Sequence, residues 1–184
     1  MNPDRAASAG YTIRPMRAGD APLLLDIDTA STALFATVDN PEIAAIATSC
    51  GPPLEDFRRH LEASEVKVAC DNADRPVGFI AFEALERDIY VWLLSVHPDH
   101  TRRGLGSQLV KSALEAGGAR GAERCVLSTF RDVAFNAPFY RDQGFDELPL
   151  SEAAAPLRER FHGEVPAGTD PDLRLLMQFP LGNR

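Results

Sequence analysis

The 184-residue sequence predicts a mixed α/β fold of the α+β kind, with a central, mostly antiparallel sheet and one βαβ unit embedded in it. Three observations carry that prediction. The composition, 45% hydrophobic and 25% charged, is that of a globular domain able to bury a core without metal or disulfide staples. Residues 66–96 read as three successive strands joined by short polar turns. A glycine-containing helix start then follows directly on the third strand, with another strand beyond it.

Residues 1–10 are small and polar and read as a disordered tail, which leaves residues 11–184 as a single domain. A short strand is expected over 11–15, and Asp20 then caps a helix through Leu23, Leu24, Leu25 and Ile27. Residues 30–51 have no clear period, with helical pieces around 41–47. Pro52-Pro53 ends that stretch, and Leu54, Phe57 and Leu61 stand at helical spacing in the next helix, 54–63. Strands follow at 66–70, 77–82 and 89–96. The last is almost wholly apolar, as in a strand buried on both faces, and the short connection at 86–88 makes it a hairpin partner of the second. A helix over 104–117 carries Leu105, Leu109, Ala113 and Leu114 on one face. Then come a strand at 126–130, a helix at 136–143 closed by Gly144, a strand at 145–148, a helix at 151–161 and a closing strand at 173–179.

Several function classes are excluded by composition. A net charge of −8 argues against general nucleic-acid binding. Cys50, Cys70 and Cys125 are scattered without C-x-x-C spacing, and His97 and His100 have no ligand partners nearby in sequence, so no metal is expected. No apolar stretch approaches the roughly 20 residues that cross a bilayer, and the N-terminus has no signal pattern. A cytoplasmic protein with no membrane partner is expected.

The chemistry is concentrated in residues 96–107, V-H-P-D-H-T-R-R-G-L-G-S. Gly104 and Gly106 flank Leu105 where a helix begins. The N–H groups of a first helical turn lack intrahelical partners and carry the positive end of the dipole. Glycine lets a phosphate oxygen approach them without meeting a Cβ. Arg102 and Arg103 add charge to the same mouth. Neither a G-x-x-x-x-G-K-[ST] loop nor a G-x-G-x-x-G dinucleotide fingerprint is present.

This segment resembles the acetyl-CoA-binding motif of the GCN5-related N-acetyltransferase (GNAT) superfamily, [QR]-x-x-G-x-[GA], with Gly104 and Gly106 at its small positions and Thr101 departing from its first. The second block, F-R-D-V-A-F-N-A-P-F-Y-R-D-Q-G-F at 130–145, is similar to the family's N-x-x-x-Y followed by G-F. The resemblance implies the GNAT fold, in which a bulge in the fourth strand splays it from the fifth and helices flank the sheet. It implies acetyl-CoA as co-substrate, held by Leu94, Ser95 and Val96 on the strand, by Arg102, Arg103, Gly104, Leu105, Gly106 and Ser107 at the turn, and by Asn136. An amine acceptor and a homodimer are implied with it.

Asn136 also has a sufficient explanation as a helix N-cap, and Tyr140 as a core residue with its hydroxyl at the rim. The resemblance assigns Tyr140 the protonation of the departing thiolate. A phenol of pKa about 10 stays protonated at neutral pH and is able to do this. The base is open. Strand 90–96 contains no carboxylate, and Glu83, His97 and a water chain are the candidates. An acyl-CoA-binding sensor without turnover is the alternative reading, and small-molecule amines are the favoured acceptors.

Overall fold

The computed structural model describes residues 10–49 and 51–182. The tail expected at 1–10 lies outside these apart from Gly10, and so does Cys50. Among the described residues a seven-stranded sheet runs in the order β1 (Thr12–Pro15), β2 (Glu65–Cys70), β3 (Pro76–Leu85), β4 (Asp88–Val96), β5 (Arg124–Phe130), β7 (Arg174–Pro180), β6 (Asp146–Leu148). The helices are α1 (Ala21–Thr32), α2 (Pro41–Ala44), α3 (Leu54–Glu62), α4 (Leu105–Ala119), α5 (Ala137–Asp142) and α6 (Ala155–Gly163). Every neighbouring pair of strands is antiparallel except β4 and β5. A parallel pair needs a long crossover, and α4 supplies it, so the predicted βαβ unit is β4–α4–β5.

Two layers of helix cover the sheet. On one face Leu105, Leu109 and Ala113 of α4 pack on Ile80, Phe82, Ile89, Val91, Cys125 and Leu127, with Tyr140 and Phe145 continuing the same core. On the other, Leu24 and Ile27 of α1 and Phe57 and Leu61 of α3 cover Val66, Val68 and Phe79, while Leu157 and Phe161 of α6 cover Tyr90, Val126 and Leu176. Each of the Leu, Ile, Val and Phe side chains among these contributes roughly 1.5–3 kcal/mol of transfer free energy on full burial. The segment without a clear period resolves into single helical turns, α2 among them. Asn40 Oδ1 caps α2, accepting from the N–H groups of Glu42 and Ile43 at 3.0 and 3.2 Å. Ile43 then packs on Phe130 at the end of β5.

Three local expectations are corrected. Asp20 stands at the start of α1 but caps nothing there: its carboxylate accepts from the Arg17 N–H at 2.7 Å and from both terminal nitrogens of Arg14 at 2.7 and 3.1 Å, tying β1 to the helix. The helix foreseen from 151 begins at Ala155, because Pro156 belongs in a first turn and residues 151–153 form a turn closed by the Ala153 N–H on Pro149. The strand at 89–96 is buried throughout only in its first half; Trp92, Leu93 and Leu94 are half-exposed. A β-bulge falls at the change: Ala81 pairs with Leu93 and Phe82 with Val91, leaving Trp92 as the extra residue.

No helix among the described residues is long and apolar enough to cross a membrane. Leu109 is fully buried where α4 meets the sheet. Leu109→Ala is expected to lower unfolding stability by about 2–5 kcal/mol in denaturant melts, through lost burial and a residual cavity.

Candidate active site

β4 and β5 stay paired for only three positions, Ile89 with Cys125, Tyr90 with Val126 and Val91 with Leu127. Past Val91 and Leu127 the two strands part, while β3 and β7 continue to pair their outer edges. The inner edges face a cavity of about 800 Å³. A backbone edge without a ladder partner is a template for an extended ligand.

The bulge at Trp92 decides what each wall presents. Before it, Ile89 and Val91 face α4; after it, Leu94 and Val96 do. Trp92 and Leu93 both turn to the α1–α3 side, and Ser95 follows, its buried hydroxyl donating to Asp28 Oδ1 at 2.7 Å. Ser95 lines the cavity, with its side chain already engaged.

The glycine turn closes one end. Gly104 adopts φ +73°, a left-handed conformation that disfavours any residue with a Cβ, and α4 starts immediately after it. A Cβ there would meet only Gln108 Nε2, at 3.8 Å, so the space above the first turn is open. Gly106 has a different reason to be small: a Cβ would come within 3.2 Å of the Phe139 ring of α5. Arg102, Leu105 and Ser107 line the cavity with these glycines. Arg103 does not; it is exposed and donates to the Asp99 carbonyl at 3.3 Å.

Asn136 and Tyr140 reach the cavity from the β5 side. Asn136 occupies the cap position of α5 without capping it, and its Oδ1 is buried with no hydrogen-bond partner. An enclosed acceptor in that state calls for a donor from elsewhere. Tyr140 is 7% exposed, and its hydroxyl makes no hydrogen bond among the described residues. Burial raises its pKa above the ordinary phenol value, so it is held protonated. The unpartnered carbonyl oxygen of Asn136 and the open backbone of Gly104 fit a ligand that brings its own donors and a phosphate group.

The two side chains named as candidate bases are not in this cavity. Glu83 is paired with Arg160 at 2.8 Å, and His97 accepts from the Asp99 N–H in the following turn. Sequence reasoning missed Asp28 and Arg174, both of which line it. Asp28 was within reach, since it lies four residues after Leu24 and one after Ile27, on the buried face of α1. A second cavity of about 530 Å³, lined by His60, Arg160 and Glu164 among others, shares Trp92 and Arg174 with the first. His60 stacks on Trp92 at 3.8 Å between ring centroids. Among the described residues no group of His, Cys, Asp or Glu is placed to hold a metal ion.

The model of the acetyltransferase (GNAT) family matches residues 28–145, from the cavity-lining carboxylate of α1 through Phe145. The chain belongs to this family. The fold of this GNAT acetyltransferase is similar to that of the ribosomal-protein-S18-alanine N-acetyltransferase of Escherichia coli, with a TM-score of 0.67 and 16% identity over 95% of this chain and 96% of that one. The PaiA N-acetyltransferase of Thermoplasma acidophilum, solved with coenzyme A, gives 0.64 and 16% over 92% and 98%. The N-acetylglutamate synthase of Neisseria gonorrhoeae, complexed with coenzyme A and N-acetyl-glutamate, gives 0.67 and 14% over 94% of this chain and 35% of that one. The acyltransferase fold expected from the two sequence blocks is thereby shown.

Burial raises the Asp28 carboxyl above its ordinary value, and the Ser95 hydroxyl offsets part of this. A carboxylate whose folded pKa exceeds its unfolded one weakens the fold once pH passes the unfolded value. Asp28→Asn is therefore expected to raise thermal stability at pH 7, with the gain shrinking as the buffer is taken down through the carboxylate range; an unchanged or lower Tm at pH 7 would contradict this.

Proposed function

We propose that this acetyltransferase moves the acetyl group of acetyl-CoA to a primary amine by direct attack. The observation that supports it is the splay itself: an unpaired strand edge with a phosphate-accepting helix start at one end and an unpartnered, protonated tyrosine on the facing wall. Coenzyme A in the PaiA and N-acetylglutamate synthase structures supports the choice of co-substrate.

In this reading the N–H groups after Gly104, with Leu105, Gly106 and Ser107, hold the pyrophosphate, and Arg102 adds charge. Arg103, turned to Asp99, contributes at longer range. The free edge at Leu94–Val96, Ser95 included, pairs with the pantetheine amides, and a backbone N–H beside the bulge donates to the oxyanion. Asn136 Oδ1 accepts from a cofactor amide. A neutral amine attacks the thioester carbonyl, a C–N bond forms and the C–S bond breaks. Tyr140 gives its proton to the departing sulfur and regains one from the nitrogen. Residues 11–184 act as one catalytic domain in the cytoplasm; a homodimer is expected by analogy alone. A sensor without turnover is not favoured in an acetyltransferase family.

Tyr140→Phe is expected to lower kcat about 10²-fold or more while the Kd for acetyl-CoA, from calorimetry, stays within about twofold. Unchanged kcat would remove Tyr140 from the mechanism. Gly104→Val is expected to weaken acetyl-CoA binding by at least about tenfold, through a Cβ standing in the open space and loss of the φ +73° backbone; retained affinity would overturn the phosphate site.

A further inference from the structure

The two arms of the splay each carry one charged side chain, of opposite sign, pinned by a serine of the strand. On the β4 arm Ser95 Oγ donates to Asp28 Oδ1 at 2.7 Å. On the β5 arm the Ser128 hydroxyl oxygen accepts from Arg174 Nε at 3.2 Å and Nη2 at 2.8 Å. Asp28 and Arg174 both line the cavity, yet no ion pair joins them among the described residues. They also share a face of the sheet. Ser95 faces α1, and Arg174 is two residues before Leu176, which packs under α6; both helices cover the side opposite α4.

Each charge is only partly satisfied within the protein. The Arg174 guanidinium stacks over the Phe130 ring at 4.9 Å, and its nearest carboxylate is Glu164, at 3.7 Å. Glu164 is already taken, accepting from Tyr90 at 2.7 Å and from Arg160 Nε at 3.0 Å. Arg174 Nη1 makes no hydrogen bond among the described residues, and Asp28 Oδ2 has none either. Burying two charges is costly unless each gains a partner, and two such groups held apart across a cavity are matched by a ligand bearing both signs.

We infer that the amine acceptor is a zwitterion of the α-amino acid class, its carboxylate bound by Arg174 and its ammonium held by Asp28. This rests on the acetyltransferase reading and names its acceptor class. A guanidinium fork suits a carboxylate, and an α-amino acid carries an ammonium on the carbon next to it. Asp28 accepts the ammonium proton, and the neutral nitrogen attacks as described above. The acceptor side chain extends past Trp92 and Arg174, the two residues shared with the second cavity.

The test is acetyl-CoA-dependent thiol release with the free α-amino acids, each run beside its carboxamide. At least one acid is expected to be acetylated with a KM about tenfold or more below that of its amide, the usual penalty for losing a charge-assisted hydrogen bond. Arg174→Gln and Arg174→Lys should raise the KM of the acid toward that of the amide and collapse the acid-to-amide ratio. Asp28→Asn should lower kcat/KM for both. Equal use of acid and amide, acetylation of no amino acid by an enzyme that binds acetyl-CoA, or an acid-to-amide ratio preserved in Arg174→Gln would each overturn the inference. If the Arg174 variants fail to fold, the wild-type ratio decides alone. Absence of acetyl-CoA binding by calorimetry would instead bring down the acetyltransferase reading itself.

Discussion

Everything at the candidate site depends on the loss of hydrogen bonding between β4 and β5 after Val91 and Leu127. A parallel pair in mid-sheet would ordinarily continue as long as its strands do, because each unmade ladder bond leaves backbone groups without partners. Here the outer neighbours hold both strands in place while the inner edges separate. The sheet thereby converts structural hydrogen-bonding capacity into binding capacity. The α4 helix, required by the parallel connection, brings its N-terminus to the mouth of the gap as a consequence of topology.

The two faces of the sheet divide the labour. Toward α4, the wall of the gap is apolar in Leu94 and Val96 and ends at an open helix start. Toward α1 and α6 the walls carry Asp28 and Arg174, each held by a strand serine, with an aromatic pair, His60 and Trp92, beside them. The Arg160–Glu164–Tyr90 network behind Arg174 fixes the neighbouring carboxylate, which Arg174 meets only at 3.7 Å and shares with Arg160.

Much of this was legible in the sequence. The order of strands and helices, the glycine turn and the Asn136–Tyr140 pair follow from period, composition and motif, and the cavity gathers Leu94, Ser95, Val96, Gly104, Gly106, Asn136 and Tyr140. Arg103 was not separable from Arg102 by sequence, because both sit in one exposed turn and only the backbone, with φ +58° at Arg102, tells them apart. The bulge in the fourth strand was implied by the resemblance, but its position was hidden for a plain reason. From Ile89 to Leu94 every residue is apolar or aromatic, so no alternation exists whose break would mark the extra residue. Asp28 and Arg174 lie outside both motifs, and their charges arrive at the gap from α1 and β7. The helical spacing of Leu24, Ile27 and Asp28 contained the clue; that of Arg174 required knowing which strand lies beside β5.

The bulge at Trp92 also bears on what the strand tolerates. Side chains on a strand alternate, and the bulge sets two consecutive ones, Trp92 and Leu93, on one face while the residues after it keep the pairing of an unbulged strand. Removing Trp92 would restore strict alternation and leave Ser95 facing Asp28, with Leu94 and Val96 still toward α4. What it would take away is a single side chain, the ring that stacks on His60 and lines both cavities. The extra residue thus furnishes one wall with an added aromatic surface and leaves the facing of the rest of the strand untouched.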